Sequence, residues 1–273
     1  MNRHYADDIA WLTFPSLEAV PGLLHVVSTR IGGVSAPPFD ALNLAFHVGD
    51  EPTHVLENRR RFAAALGFSL DDVVATRQVH ETTVRVVTRA ECGTGASSRA
   101  HETWACDALV TREAGVFLMG FSADCPLVML VDAQARVLGL AHAGWRPAFA
   151  GILAKTISAM TTLGAEPARM LAAVAPAIGP CCYEVGAELK DALPRDGGEY
   201  EACFQPTGLK FMLDLPGLCQ EMLINEGLQE ETIDTSRTCS RCCERDLFSY
   251  RRDGRTGRYA AVIGWRHDYP SPR

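Results

Sequence analysis

FSADCPLVMLVDAQARVLGLAHAGWRPAFAG, residues 121–151, reads as strand, turn, strand, sharp turn and helix, and the other segments make most sense as its supports. Residues 128–131 and 137–141 are apolar runs of strand length, and the polar bridge Asp132-Ala133-Gln134-Ala135-Arg136 suits a hairpin between them. Cys125 precedes the first strand, and His142 closes the second, followed by the small-residue turn Ala143-Gly144 and then Trp145. Antiparallel neighbours bring the start of one strand beside the end of the next, so Cys125 and His142 are expected to lie close in space. A thiol beside an imidazole admits three readings: a small buried hydrophobe next to a backbone-bonded histidine, a nucleophile with its base, or two ligands of a metal such as zinc. Spacing alone does not choose among them; a third ligand elsewhere in the chain would favour metal.

With 273 residues, 47% apolar and 22% charged, the chain is that of an ordinary globular protein able to bury a substantial core. A net charge of -7 and a pI near 5.6 argue against a general binder of nucleic acid or anionic membrane, both of which need an excess of Lys and Arg. The opening MNRHYADDIAW has no apolar core of signal-peptide length, and no stretch reaches the roughly 18 apolar residues of a membrane span, so a cytoplasmic location is expected. Ten cysteines are many, but the adjacent pairs Cys181-Cys182 and Cys242-Cys243 do not resemble a spaced disulfide framework. Reduced thiols or metal ligands are the expectation.

Along the chain, residues 23–29 alternate towards a strand that runs into Arg30 and the glycine pair Gly32-Gly33, either a plain tight turn or, with Ser35, a cradle for an anion. Residues 43–49 read as extended. Asp50 looks like the N-cap of a helix to about Ala65, with Pro52 in its first turn and Gly67 as its stop. Its run Arg59-Arg60-Arg61 reads as a solvated face. Residues 73–79 and 83–87 are strand-like, which places His80 at a hairpin end, and residues 90–105 read as a loop. Asp107, at the mouth of the next strand, is an acid, a base or a cap. Residues 147–163 predict one amphipathic helix, and further helices are expected over 185–193 and 213–226. Cys239-Ser240-Arg241-Cys242 is half of a zinc-ribbon signal. Residues 248–258 read as strand and turn before a strand at 259–263. The arginines Arg251, Arg252, Arg255 and Arg258 there are either phosphate grips or, for most of them, a solvated hairpin tip. No repeat and no linker divides residues 1–273, so the expectation is one α+β domain: a mixed sheet, or two packed sheets, with helices outside.

Nine blocks taken in order carry a resemblance: TRIGGVS (29–35), NL (43–44), HVGD (47–50), ENRRR (57–61), QVH (78–80), SADCP (122–126), HAGWR (142–146), IGPCCYEVG (178–186) and SYRRDGRTGR (249–258). The chain resembles the YfiH-type family, whose members have been called laccase-domain or multicopper polyphenol oxidase proteins and, more recently, purine nucleoside phosphorylases. The resemblance implies mixed sheets sandwiched by helices, a cysteine-hydrolase-like fold, and a metal triad of His80, Cys125 and His142. It further implies zinc, phosphorolysis of adenosine, guanosine, inosine and methylthioadenosine, and deamination of adenosine. Glu81 and Pro147 stand where the family usually has glycine.

Three protein ligands leave tetrahedral zinc an open fourth position, as catalytic sites require. The expected catalytic set is therefore His80, Cys125 and His142 with Asp107 as a proton-transfer group, and Arg30, Asn43 and Arg146 are the candidate substrate contacts. The expected partners are a purine nucleoside and phosphate. Three rival readings stand beside this one. Copper-dependent phenol oxidation would use Cu2+, but a laccase holds several coppers with many histidines, and only eight are present with no H-x-H pair. The others are a metal-free Cys125/His142 hydrolase and a non-catalytic protein that binds nucleosides or a cell-wall precursor.

Overall fold

Strand-length apolar runs recur along the chain, and in the computed structural model, which describes residues 1–98, 104–193 and 198–267, they assemble into two six-stranded sheets and a small third one. The strands are β1 (Asn2–Ala6), β2 (Ile9–Thr13), β3 (Leu23–Ser28), β4 (Val73–Ala75), β5 (Val84–Val86), β6 (Ala108–Thr111), β7 (Phe117–Ser122), β8 (Leu127–Asp132), β9 (Val137–His142), β10 (Leu171–Val174), β11 (Glu184–Val185), β12 (Phe204–Thr207), β13 (Lys210–Leu213), β14 (Ile233–Thr235) and β15 (Tyr259–Trp265). The helices are α1 (Pro15–Glu18), α2 (Pro52–Leu66), α3 (Trp145–Phe149), α4 (Ile152–Thr162), α5 (Ala187–Asp191), α6 (Leu215–Asn225) and α7 (Tyr250–Asp253). One large sheet runs β1-β2-β3-β15-β7-β4, the other β14-β10-β8-β9-β6-β5, and the small one β11-β13-β12.

The large sheets pack face to face. Leu118 of β7 and Tyr259, Ala261 and Ile263 of β15 meet Leu127, Met129, Leu138 and Leu140 of the β8–β9 hairpin. Helix α2 covers the outer face of the first sheet with Phe62 and Leu66, and α4 and α6 cover the outer face of the second with Ile157, Met160 and Leu218. Strands β7, β8, β9 and β15 are thus buried on both faces, which explains why their sequences are continuous apolar runs and not alternating ones. The α+β arrangement with helices outside is as expected, and so is the central hairpin: β8 and β9 pair antiparallel with Leu127 opposite His142.

Several local expectations are corrected. Strands β4 and β5 are not a hairpin. β4 pairs parallel with β7 in one sheet and β5 parallel with β6 in the other, so the segment bearing His80 crosses between the sheets. The helix expected over 147–163 is two helices, because Gly151 at φ 83° breaks the run where the chain turns. Asp50 does not cap α2; Glu51 holds that place, and the Asp50 carboxylate instead accepts hydrogen bonds from Ser35 Oγ and Asn43 Nδ2. The segment expected as a strand at 248–250 enters α7, whose N-cap Ser249 accepts from the Arg252 amide. Residues 46–48, expected to be extended, form a single 3-10 turn. Of the loop expected over 90–105, residues 99–103 lie outside the described residues.

Arg59 departs furthest from its sequence reading. Far from solvated, it is fully buried, with its guanidinium between the rings of Phe46 and Phe121 at 4.4 and 4.6 Å. It donates to the carbonyls of Leu44, Gly95 and Ala96. A planar cation with five donors can satisfy several buried carbonyls at once, which makes it a hub for loops that form no ladder of their own.

Candidate metal centre

The β8–β9 register that sets Leu127 opposite His142 brings Cys125, two residues before Leu127, to the same end of the sheet. His80 arrives from the crossing segment, held there by two devices. Gln78 presents its side-chain amide to Phe121 as a strand would, accepting from the Phe121 N–H and donating to the Phe121 carbonyl, both at 2.8 Å. Beyond it, the backbone N–H groups of Val79, His80 and Glu81 all donate to the carboxylate of Asp107 at 3.0 Å, and His80 takes a left-handed conformation at φ 61° to allow it.

The same Asp107 accepts from His142 Nδ1 at 2.8 Å. A carboxylate only accepts, so Nδ1 carries a proton and Nε2 is the nitrogen left to face the site, its lone pair available once a metal ion takes the place of the Nε2 proton. His80 Nε2 lies 4.0 Å from Cys125 Sγ, and the two imidazoles meet edge to face with centroids 4.8 Å apart. The ligand atoms of His80, Cys125 and His142 all lie within 4.8 Å of one another. Gly144 closes the back, where a Cβ would stand 2.9 Å from Cys125 Sγ and 3.3 Å from the His80 ring.

Electrostatics follow the geometry. Burial opposes ionisation of the Cys125 thiol, but the imidazoles of His142 and His80 outweigh it and bring the thiol down to about 6. Burial likewise opposes protonation of His142, yet the neighbouring thiolate and Asp107 carry it up to about 9. Asp107 is resisted by burial but held below the usual carboxylate range by the hydrogen bonds from His142, Glu81 and Val79. A nitrogen lone pair oriented by a carboxylate, a thiol biased to thiolate and a second imidazole make a donor set suited to one borderline-soft divalent ion. The residues therefore fit the metal that the sequence reading expects.

Placement of the other expected residues is uneven. Arg146 lines the cavity of about 480 Å³ into which the triad opens. Asp107 lies beneath His142, its side chain fully buried, where it orients its neighbours. Arg30 lies elsewhere: it pairs with Asp40, stacks on Phe248 and lines a separate cleft with Gly32 and Arg255. A Cβ on Gly33 would come 2.1 Å from the Ala41 carbonyl oxygen, so close packing accounts for that glycine. Asn43 is fully buried and reaches the cavity only by accepting from the Arg258 amide. Neither departure from the family pattern disturbs the site. Pro147 occupies the first turn of α3, where its missing N–H has no helical partner to lose, and the Glu81 amide still bonds Asp107.

One feature escaped the sequence reading. Asp124 adopts φ 113°, its carboxylate accepting from Ser240 Oγ and the Arg251 amide at 2.6 Å each, and this strained turn directs Cys125 into the site. The cavity also receives Arg251 and Arg258 from the C-terminal segment, whereas Arg252 pairs with Asp253 and Arg255 donates to the Gly49 carbonyl. Arg251 donates to the Glu184 carbonyl, and Arg258 to those of Thr256 and Gly257; such partners neutralise no charge. Arg146, Arg251 and Arg258 lie over the rings of Trp145, Tyr183 and Tyr250, which also line the cavity. Of the four arginines that the sequence offers as phosphate grips or a solvated hairpin tip, Arg251 and Arg258 line the cavity and Arg252 and Arg255 do not.

Residues 24–266 match the family model described as multi-copper polyphenol oxidoreductase laccase. The chain is 42% identical over 260 residues to a purine nucleoside phosphorylase of Deinococcus radiodurans, covering 95% of this chain and 94% of that one. It is 39% identical over 259 residues to the purine nucleoside phosphorylase YlmD of Geobacillus stearothermophilus, covering 93% of each. Among solved structures, the hypothetical protein YfiH of Bacillus licheniformis superposes with a TM-score of 0.89 at 32% identity, covering 96% of this chain and 97% of that one. No helix of the described residues is long and apolar enough to cross a membrane.

Proposed function

This chain belongs to the family described as multi-copper polyphenol oxidoreductase laccase, and within it we propose that the chain is a zinc-dependent purine nucleoside phosphorylase acting on adenosine, guanosine, inosine and methylthioadenosine. The observation that carries this reading is one cavity with two chemistries: a single-ion donor set of His80, Cys125 and His142 at its floor, and three arginines stacked on aromatic rings around it. A volume of about 480 Å³ is in the range of small-molecule sites. The names of the Deinococcus and Geobacillus relatives support the same reading.

His80, Cys125 and His142 would hold the zinc, which when bound supplies a Lewis acid. The chain's own residues have the larger part. Arg146, Arg251 and Arg258 place positive charge where inorganic phosphate must be held, and Trp145, Tyr183 and Tyr250 offer flat faces to a purine. In phosphorolysis a phosphate oxygen forms a bond to ribose C1′ while the C1′–N9 bond breaks and its electron pair leaves with the base. The developing positive charge at C1′ lies against the phosphate dianion, and the departing purine takes up a proton from water or a nearby acid, giving the free base and ribose 1-phosphate. Asp107 keeps His142 in one tautomer throughout.

Deamination of adenosine, in which water replaces the C6 amino group and ammonia leaves, is the second activity we assign to the pocket; it requires the purine end of the substrate to face the triad. Both activities are read by incubating the purified protein with adenosine, with and without phosphate. Adenine and ribose 1-phosphate should form only with phosphate, and inosine should form without it. Oxidation of phenols by a copper-loaded protein that leaves all nucleosides untouched would overturn the proposal. Among the described residues the cavity holds a donor set for one ion, which disfavours that outcome, because oxidation by several coppers needs several ions held close together.

A further inference from the structure

Outside the triad, the half-signal Cys239-x-x-Cys242 finds its missing half in the adjacent pair Cys181-Cys182. One turn, closed by the Cys243 amide on the Cys239 carbonyl at 3.0 Å, sets the sulfurs of Cys239 and Cys242 on one side of their loop. A second turn, closed by the amides of Cys182 and Tyr183 on the Gly179 carbonyl, presents Cys181 and Cys182 opposite them. The two loops are already joined by backbone: Ala177 and Cys239 form a β-bridge, and the Ser240 amide donates to the Ala177 carbonyl at 2.9 Å. All four sulfurs lie within 4.8 Å of one another, with Cys182 and Cys181 at 3.4 and 3.7 Å from Cys242, and no disulfide links them.

We propose that Cys181, Cys182, Cys239 and Cys242 form a second, structural metal site that takes Zn2+ through four thiolates. Sulfurs placed tetrahedrally at about 2.3 Å from zinc stand roughly 3.8 Å apart, close to the separations this cluster shows before any ion draws it together. Supporting donors are in place. The Gly179 N–H points at Cys239 Sγ at 3.3 Å, and Arg241 Nη1 donates to Cys182 Sγ at 3.4 Å. Peptide N–H donation to a ligating sulfur and a cation beside it both offset the negative charge that four thiolates bring to one divalent ion. Four soft donors and no oxygen or water-bearing ligand select zinc over magnesium or calcium, and a closed set of four leaves no position for chemistry.

Its location gives the site a purpose. Ile178 and Tyr183, on either side of the vicinal pair, line the catalytic cavity, and Ser240, between the other two ligands, braces Asp124 next to Cys125. Zinc there would pin the two loops that form one wall of the cavity, neither of which is held by a long strand ladder.

The test is zinc stoichiometry by elemental analysis, with the cysteines mapped by alkylation and mass spectrometry. Wild-type protein prepared under reducing conditions should carry about two zinc ions per chain, Cys125→Ser about one, and Cys239→Ser/Cys242→Ser about one. In wild-type protein the four cysteines should resist alkylation until a chelator strips the ion, so the outcome does not depend on the double variant folding. Cobalt substituted into Cys125→Ser should show the intense sulfur-to-metal absorption of a tetrathiolate site. One zinc per chain that Cys125→Ser abolishes, free alkylation of the four thiols in zinc-replete protein, or a disulfide among them in reduced preparations would each overturn the proposal.

Discussion

Asp107 Oδ1 sits 2.8 Å from His142 Nδ1, and the same carboxylate collects the backbone amides of Val79, His80 and Glu81. One buried side chain thus fixes the tautomer of one expected metal ligand and the backbone of another, coupling two ligands that arrive from different sheets. Asp107→Asn keeps the shape but replaces an acceptor with a group that must donate on one side. Zinc affinity measured by chelator competition should fall about 10- to 100-fold, with a smaller loss of thermal stability. Unchanged affinity would show that His142 needs no orienting partner.

Gly144 is constrained by contact and not by backbone conformation: a Cβ there would press on Cys125 Sγ at 2.9 Å. Gly144→Ala should displace the sulfur, weakening zinc binding at the triad and lowering kcat, while the melting temperature moves by only a few degrees, about 1 kcal/mol. Retention of full zinc affinity in this variant would mean that the sulfur has room to retreat.

Arg146 and Arg251 face the cavity, whereas Arg30 lies in another cleft. Arg251→Gln and Arg146→Gln should each raise the KM for phosphate about tenfold or more, with less effect on the KM for the nucleoside, as expected for loss of a charged contact. Arg30→Ala should leave the phosphate KM where it was. The opposite ranking would move the anion site to the glycine-pair turn that the sequence first suggested.

His25, on β3 of the first sheet, is buried, and its Nε2 accepts from the Phe14 amide at 2.9 Å. Burial pushes its pKa from 6.5 down to about 4. Between those values the unfolded chain binds more protons than the folded one, so stability is fully present above about pH 6.5 and is lost as the pH falls towards 4. The loss from this group is on the order of 3 kcal/mol. Urea unfolding of His25→Gln, which retains an acceptor for Phe14, should show a shallower decline across that window than wild type. An identical slope would locate the acid sensitivity elsewhere.

Much of the molecule was legible in the residues alone. Apolar runs at 128–131 and 137–141 mark the two strands of the central hairpin, and their antiparallel pairing is enough to set Cys125 beside His142, because register follows from a short hairpin connection, here the four residues 133–136. Local pattern also marked His80, but misread its setting: strand propensity at 73–75 and 84–86 says nothing about which sheet each strand joins. Arg59 was misread for the same reason, since helical periodicity ranks it with its exposed neighbour Arg60, and only the loops packed over α2 make a buried cation worth its desolvation.

From sequence alone come the ligand types, the central hairpin and the class of fold, since these depend on side-chain chemistry and on periodicities a few residues long. The convergence of His80 on Cys125, the turning of Arg251 and Arg258 inward but Arg30 away, and the meeting of Cys181-Cys182 with Cys239 and Cys242 were decided by tertiary structure. Each joins residues tens to hundreds of positions apart, and such contacts are set by how two sheets pack, a global balance of burial that no local stretch encodes.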